Sequence, residues 1–282
     1  MPVIQQIRKD RRIPSSCWLS AFAADRYSQA GEDGIIQQIF KIVEPRHRVS
    51  CEFGAWDGTH LSNTANLVRH EGWKGVFIEG NPKRFKDLQA AYPPSDGSAV
   101  LINAFIELAG DSSLDRLLER QGVPVDFDFL SIDIDGLDYH VWESLQLYRP
   151  TVVCIEFNPV VPNDVIFIQD PDPLVNQGSS LLAMIALARQ KGYELIAVTR
   201  LNAFFVVNHL YARFRIDNND IESLFVPTMD GRVFHGYDST VYTVGMPRMF
   251  WAEHFLQPDS LQLLPAEQRI FEDSQSSYRS SS

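Results

Sequence analysis

The chain has only three cysteines, Cys17, Cys51 and Cys154, far apart and with no C-x-x-C pair. That excludes a disulfide framework and leaves no cysteine-based zinc site to build. Basic side chains are in the minority: 25 Lys and Arg stand against 36 Asp and Glu, for a formal net charge of -11. This balance offers no footprint for a phosphate backbone and repels anionic lipid, so neither nucleic acid nor a membrane is an expected partner. No apolar run is long enough to span a bilayer, and the opening MPVIQQIRKDRRIP scatters charge where a signal-type segment would be apolar. A reducing, cytoplasmic setting is the expectation. Also missing is any G-x-G-x-x-G or G-K-[ST], which argues against a dinucleotide pyrophosphate turn and against a P-loop.

What is present is a core-forming pattern. Hydrophobic residues make up 45% of the 282 positions, enough for one large domain with extensions. Apolar runs bounded by turn residues recur at VSCEFGA, KGVFIEGNP, SAVLINAFI, FDFLSIDIDG, PTVVCIEFNP, YELIAVT and AFFVVN. A 3.6-residue apolar rhythm occupies 63–71, 82–92, 112–121, 137–147 and 179–192, and 26–43 reads as a turn opening an amphipathic helix. Strands that are apolar nearly throughout, separated by helices, predict a doubly wound α/β domain with a mostly parallel sheet covered on both faces. The expected division is an N-terminal helical extension at 1–45, the core at 46–210, a C-terminal cap or extension at 211–272, and a disordered serine-rich tail at 273–282.

In such sheets ligands collect at the carboxyl ends of the strands. The polar residues closing the apolar runs are Glu52 to Asp57, Glu79-Gly80-Asn81, Asn103-Ala104, Asp133 to Asp135, and Glu156-Phe157-Asn158. The first group, E-F-G-A-W-D-G, is similar to the first motif of S-adenosylmethionine-dependent methyltransferases, where glycines admit a cofactor whose sulfonium and ammonium suit carboxylates. Some twenty residues on, Glu79 ends a strand where an acid can accept both ribose hydroxyl protons, and Asn103-Ala104 is placed to meet an adenine edge. Asp133, Asp135 and Asp138 crowd like charges that need a cation or a raised pKa. Asp133, Glu156 and Asn158 offer hard oxygen ligands for a Mg2+ ion bridging two strand ends.

The larger pattern resembles the FkbM-type family of class I methyltransferases, from YSQAGEDGII through EFGAWDG…SNTANLVRHEGWKGVFIEGNP and IDIDGLDYHVWESL…YRPTVVCIEFNP to GSSLLAMIALARQKGYELIAVTRLNAFFV. The quoted motifs run from about Tyr27 to Val207, and the family's I-D-V-E-G stands here as I-D-I-D-G, a shortened carboxylate at Asp135. The resemblance implies a Rossmann-like methyltransferase that binds S-adenosylmethionine and methylates a hydroxyl oxygen. It puts Glu52, Gly54, Asp57 and Gly58 at the methionine and sulfonium end, with Glu79 on the ribose. It has Gln29, Glu32 and Asp33 closing over the cofactor. Ser62, Asn63 and Thr64 either cap a helix or bond the methionine carboxylate.

Methyl transfer needs alignment and an acceptor for the hydroxyl proton. His140, beside the aspartate cluster, is the first candidate base, followed by His60 and Asp135; His209 and His235 fall in the expected cap. Trp56, Trp73 and Trp142 are read as packing residues, with stacking near the cofactor the alternative for Trp56, and DPDP at 170–173 is read as a rigid loop. The acceptor is expected to be a small molecule, a sugar or natural-product hydroxyl. The alternatives are a divalent-metal-assisted O-methyltransferase and a non-catalytic S-adenosylmethionine-binding partner subunit. The oligomeric state is left open.

Overall fold

A computed structural model describes residues 3–245, 248 and 254–270; the expected tail at 273–282 lies outside them. Seven strands form one sheet: β1 (Val49–Phe53), β2 (Lys74–Ile78), β3 (Ala99–Ile102), β4 (Phe129–Ile132), β5 (Val152–Glu156), β6 (Tyr193–Val198) and β7 (Asn202–Val207). Their spatial order is β3-β2-β1-β4-β5-β7-β6. β1 to β5 pair in parallel, while β7 enters antiparallel between β5 and β6. All residues of β1, β4 and β7 are buried, as expected of strands covered on both faces. The sheet is therefore Rossmann-like, doubly wound and mostly parallel, in agreement with the pattern read from the sequence.

The helices are α1 (Glu32–Ile42), α2 (Ala65–His70), α3 (Pro82–Ala91), α4 (Leu114–Arg120), α5 (Asp138–Ser144), α6 (Leu181–Gln190) and α7 (Ile221–Leu224). Several are shorter than their apolar rhythm, because flanking side chains bond backbone that would otherwise have continued the helix. Ser62 Oγ accepts the Ala65 N–H at 3.0 Å, so α2 begins after the SNT run and not within it. α1 buries Ile35, Ile36, Ile39 and Phe40 along one stripe. Trp73 and Trp142 are core residues. None of the helices among the described residues is long and apolar enough to cross a membrane.

Beyond the core, β8 (Gly231–His235) and β9 (Val241–Gly245) make an antiparallel hairpin. Arg232 forks onto Asp164 at 2.9 and 3.2 Å, and the guanidinium of Arg8 reaches buried Asp230 at 2.8 Å. The extension is thus tied to the N-terminal arm and to the segment after β5.

α1 is anchored through one carboxylate. Glu32 is fully buried; its Oε1 accepts from Thr199 Oγ1 at 2.7 Å and Asn202 Nδ2 at 3.2 Å, and its Oε2 accepts the Ala30 N–H at 2.7 Å. Replacing Glu32 by Ala leaves these donors unpaired, so urea unfolding should show a loss of roughly 2–4 kcal/mol.

Candidate functional site

The strand order reverses between β1 and β4, and the crevice outside the carboxyl ends of the strands is where such sheets take ligands. A cavity of about 810 Å3 opens there, walled by Glu52, Gly54, Glu79, Asp133 and Glu156 from the ends of β1, β2, β4 and β5 and the turns that follow them. Gly54 has φ +72°, and a Cβ on it would meet the Asp133 carbonyl oxygen at 2.0 Å. Only glycine lets the first loop lie this close to the end of β4.

Glu79 is 4% exposed. One carboxylate oxygen accepts the Trp56 N–H at 2.8 Å and the other the Asn81 N–H at 2.7 Å. Each oxygen keeps a lone pair for a ligand hydroxyl. Flanking it are two aromatic side chains that a packed core would have hidden: Trp56, 41% exposed, and Phe105, 72% exposed. The Arg84 guanidinium lies 4.2 Å over the Trp56 ring and the His60 ring meets it edge-on. Trp56 is thus a wall residue and not a packing one, in line with the alternative kept for it.

Gln29, Ser62, Gly80, Ala104, Asp135 and His60 also line the cavity. Other residues given a cofactor role are spent on structure and stand off the wall. Asp57 Oδ1 accepts the N–H groups of Thr59 (2.8 Å) and His60 (2.7 Å). Partial burial raises its pKa, but those hydrogen bonds outweigh it and leave the carboxyl below its ordinary value. Gly58 accepts from Tyr92 Oη at 2.7 Å. Asn63 and Thr64 bond Glu52 through a backbone N–H at 2.8 Å and a hydroxyl at 2.7 Å. Asn81 caps α3, and Asn103 Nδ2 donates to the Glu79 carbonyl at 2.7 Å. Asp33 Oδ2 gathers the N–H groups of Arg26, Tyr27 and Ser28, while Glu32 holds α1 as described.

The aspartate cluster divides. Asp138 accepts the Ile134 and Gly136 N–H groups, both at 2.9 Å, and faces away from the cavity. Asp133, Asp135 and Glu156 have carboxylate oxygens within 4.8 Å of one another. Burial first, then the neighbouring carboxylates Asp133, Asp138 and Asp135, pushes Glu156 up to about 10, and burial with the same crowding raises Asp133. Asn158 is not in this group: its Oδ1 accepts the Val160 N–H at 2.9 Å and its Nδ2 donates to the Gln177 carbonyl at 2.7 Å. The oxygen set placed on Asp133, Glu156 and Asn158 is therefore Asp133, Asp135 and Glu156. Nor does His140 face the cavity, since its Nε2 lies 2.7 Å from the Gln169 carbonyl oxygen.

Arg84, Phe105, Asn176, Arg200 and Leu201 also line the cavity and were not singled out from the sequence, while Pro171 and Pro173 of the DPDP run, read as a rigid loop, form part of the wall. Phe105 directly follows Asn103-Ala104 and was the most accessible of them to sequence reasoning. Neither His209 nor any described residue of the expected cap, His235 included, lines the cavity; the segment after β5 contributes Pro171, Pro173 and Asn176 to the wall.

The fold so described is Rossmann-like, doubly wound and mostly parallel. No protein-family model matches the chain, and no curated protein matches it. Among solved structures, the chain is similar to an O-methyltransferase from Bacillus cereus in complex with SAH, at 19% identity and TM-score 0.44, over 71% of this chain and 92% of that one. It is also similar to a sarcosine dimethylglycine methyltransferase from Galdieria sulphuraria, at 13% identity and TM-score 0.39, over 58% of this chain and 60% of that one. For the citrinin polyketide synthase CMeT domain the values are 11% and 0.41, over 64% of this chain and 54% of that domain. The chain thus spans three fifths or less of the length of the latter two.

Glu156 sets a pH dependence. Between its ordinary 4.5 and about 10 the folded chain keeps a proton there that the unfolded chain has released, so its contribution to stability falls as pH rises through that window. Glu156→Gln, which cannot ionise, should be more stable than the parent at about pH 9 and no more stable at about pH 5, read from urea midpoints. A difference that does not change with pH would remove Glu156 as the titrating group.

Proposed function

We propose that the chain is an S-adenosylmethionine-dependent methyltransferase of the FkbM type, acting on a hydroxyl oxygen of a small molecule. The observation that carries this reading is Glu79, a buried carboxylate at the end of β2 with a lone pair to spare on each oxygen, on the same cavity wall as the exposed side chains of Trp56 and Phe105. That arrangement fits a ribose diol attached to a flat base. The Gly54 approach and the carboxylates beyond it fit the cationic end of the same molecule. The quoted sequence motifs support the family reading.

When bound, S-adenosylmethionine supplies an activated methyl carbon. The rest falls to the protein. Glu79 and the aromatic pair hold one end of the cavity, so that Asp133, Asp135 and Glu156 sit at the other, where the acceptor hydroxyl must lose a proton. Asp133 is the proton acceptor in this reading, in place of His140, with Glu156 as its protonated neighbour; His60 also lines the cavity, with its ring against Trp56. The Asp133 carboxylate would take the proton of the acceptor hydroxyl as that oxygen is methylated.

The test is calorimetry with S-adenosylhomocysteine (SAH), S-adenosylmethionine and NAD. Binding of the first two is expected, and their failure to bind would sink the reading. Glu79→Ala should weaken SAH by roughly 1.5–3 kcal/mol, the scale of lost hydrogen bonds to a charged group, or about 10- to 150-fold in Kd.

A second reading is favoured by the convergence of Asp133, Asp135 and Glu156 oxygens within 4.8 Å. A divalent cation held there would lower the acceptor hydroxyl pKa. Turnover that survives EDTA and is unchanged by added Mg2+ eliminates it; loss on chelation with recovery on Mg2+ supports it.

A further inference from the structure

The segment 157–180, between β5 and α6, contains no helix or strand. Loops longer than about 12–15 residues without structure of their own are uncommon and tend to serve binding. This one is built around a single side chain. Gln169 is 2% exposed, and its Oε1 accepts the N–H groups of Gln177 at 3.0 Å and Gly178 at 2.8 Å. Its Nε2 donates to the Val175 carbonyl at 2.8 Å. The amide therefore closes 169–178 into a ring.

Three further contacts seat that ring against the ends of the strands. His140 Nε2 donates to the Gln169 carbonyl at 2.7 Å, and Asn158 Nδ2 to the Gln177 carbonyl at 2.7 Å. At Gly136, a Cβ would stand 3.0 Å from the Val175 carbonyl oxygen, so the glycine of I-D-I-D-G lets the ring close on the β4 end. His140 and Asn158, two residues that sequence reasoning gave to chemistry, hold this loop instead.

The ring presents Pro171, Pro173 and Asn176 to the cavity, beside Asp135 and Asp133. Two pyrrolidine rings offer a rigid apolar surface without N–H donors. The Asn176 amide has no partner among the described residues, so it offers both a donor and an acceptor. The adjoining carboxylates disfavour an anion, and Arg200 on the wall is already engaged within the protein.

We propose that the ring 169–178 is the acceptor-selecting wall, and that it takes an uncharged, hydroxyl-bearing ring such as a glycoside. The acceptor's apolar face lies on Pro171 and Pro173, and its hydroxyls bond Asn176 and Asp135. His140 is a positioning residue that acts through Gln169. The inference rests on the methyl-transfer reading, and deepens it.

The experiment uses the full chain and compares wild type with Gln169→Ala, His140→Ala, His140→Gln and Asn176→Ala. SAH affinity is measured by calorimetry, amide exchange over 169–180 by mass spectrometry, and SAH release with methyl rhamnoside, glucose 6-phosphate and catechol as acceptors. All four variants should bind SAH within about twofold of wild type, since the ring lies off the Glu79 end. Exchange at Gln177 and Gly178 should rise about tenfold or more in Gln169→Ala and His140→Ala, and return in His140→Gln, which keeps an N–H donor. Asn176→Ala should leave exchange unchanged and lower kcat/KM for the glycoside about tenfold, through KM. A tenfold loss of SAH affinity in the ring variants, unchanged exchange, or an Asn176→Ala enzyme with wild-type KM overturns the proposal. So does faster turnover of the phosphate or the catechol, or turnover of none of the three by a chain that binds SAH. Failure of wild type to bind SAH is a separate result, which removes the methyl-transfer reading itself.

Discussion

The structure depends on how it satisfies carboxylates that are buried without a basic partner. Glu32, Asp33, Glu52, Glu79, Asp128 and Asp138 are all hidden from solvent. An unpaired buried charge costs several kcal/mol, so each must collect hydrogen bonds or keep its proton. Here most collect backbone N–H groups. Asp128 takes those of Arg46, His47 and Val49, which brings the chain into β1 beside β4. Asp33 takes three from the turn before α1, Asp138 two from the turn after β4, and Glu79 one from each side of the cavity mouth. The loops at the carboxyl ends of the strands owe their shapes to these acids, because each acid dictates where several amides must point.

The same economy separates scaffold from site. A carboxylate that already accepts three hydrogen bonds has less left for a ligand, and Glu52, bonded by Ser62, Asn63 and Thr64, is of this kind although it touches the cavity. Asp133, Asp135 and Glu156 are the exceptions. They crowd one another, and burial with that crowding raises Asp133 and Glu156; burial raises Glu52 and Asp138 as well, but there hydrogen bonds offset part of the rise. That unrelieved crowding, beside a cavity of about 810 Å3, makes this end of the crevice the chemically charged one. In the proposed reading the Glu79 end, with Trp56 and Phe105 on the same wall, is the recognition end.

Strand content was legible because parallel strands buried on both faces must be apolar nearly throughout, and VSCEF, FLSI and VVCIE are. The positions at strand ends were legible as a set for the same reason: a polar residue closing such a run has to be at the sheet's edge. The roles within that set were not. Asp57 and Glu79 look alike in sequence, yet one closes its own turn while the other faces the cavity, and only the course of the backbone between them separates the two. His140 follows the aspartates by a few residues, but one turn of α5 points it at Gln169 and away from Asp133.

The class of fold follows from the sequence through apolar periodicity, and the proposed ligand rests on its carboxylates and glycine at strand ends, where a phosphate site would need amides and lysine. Tertiary structure decided which of those carboxylates remain available and what completes the wall. β7 inserts antiparallel between β5 and β6, so the turn carrying Arg200 and Leu201 arrives at the cavity from a distant part of the chain. The segment after β5 closes on the buried amide of Gln169 and brings Pro171, Pro173 and Asn176 alongside Asp135. These are long-range contacts between residues with no shared periodicity, and a local pattern holds no information about them.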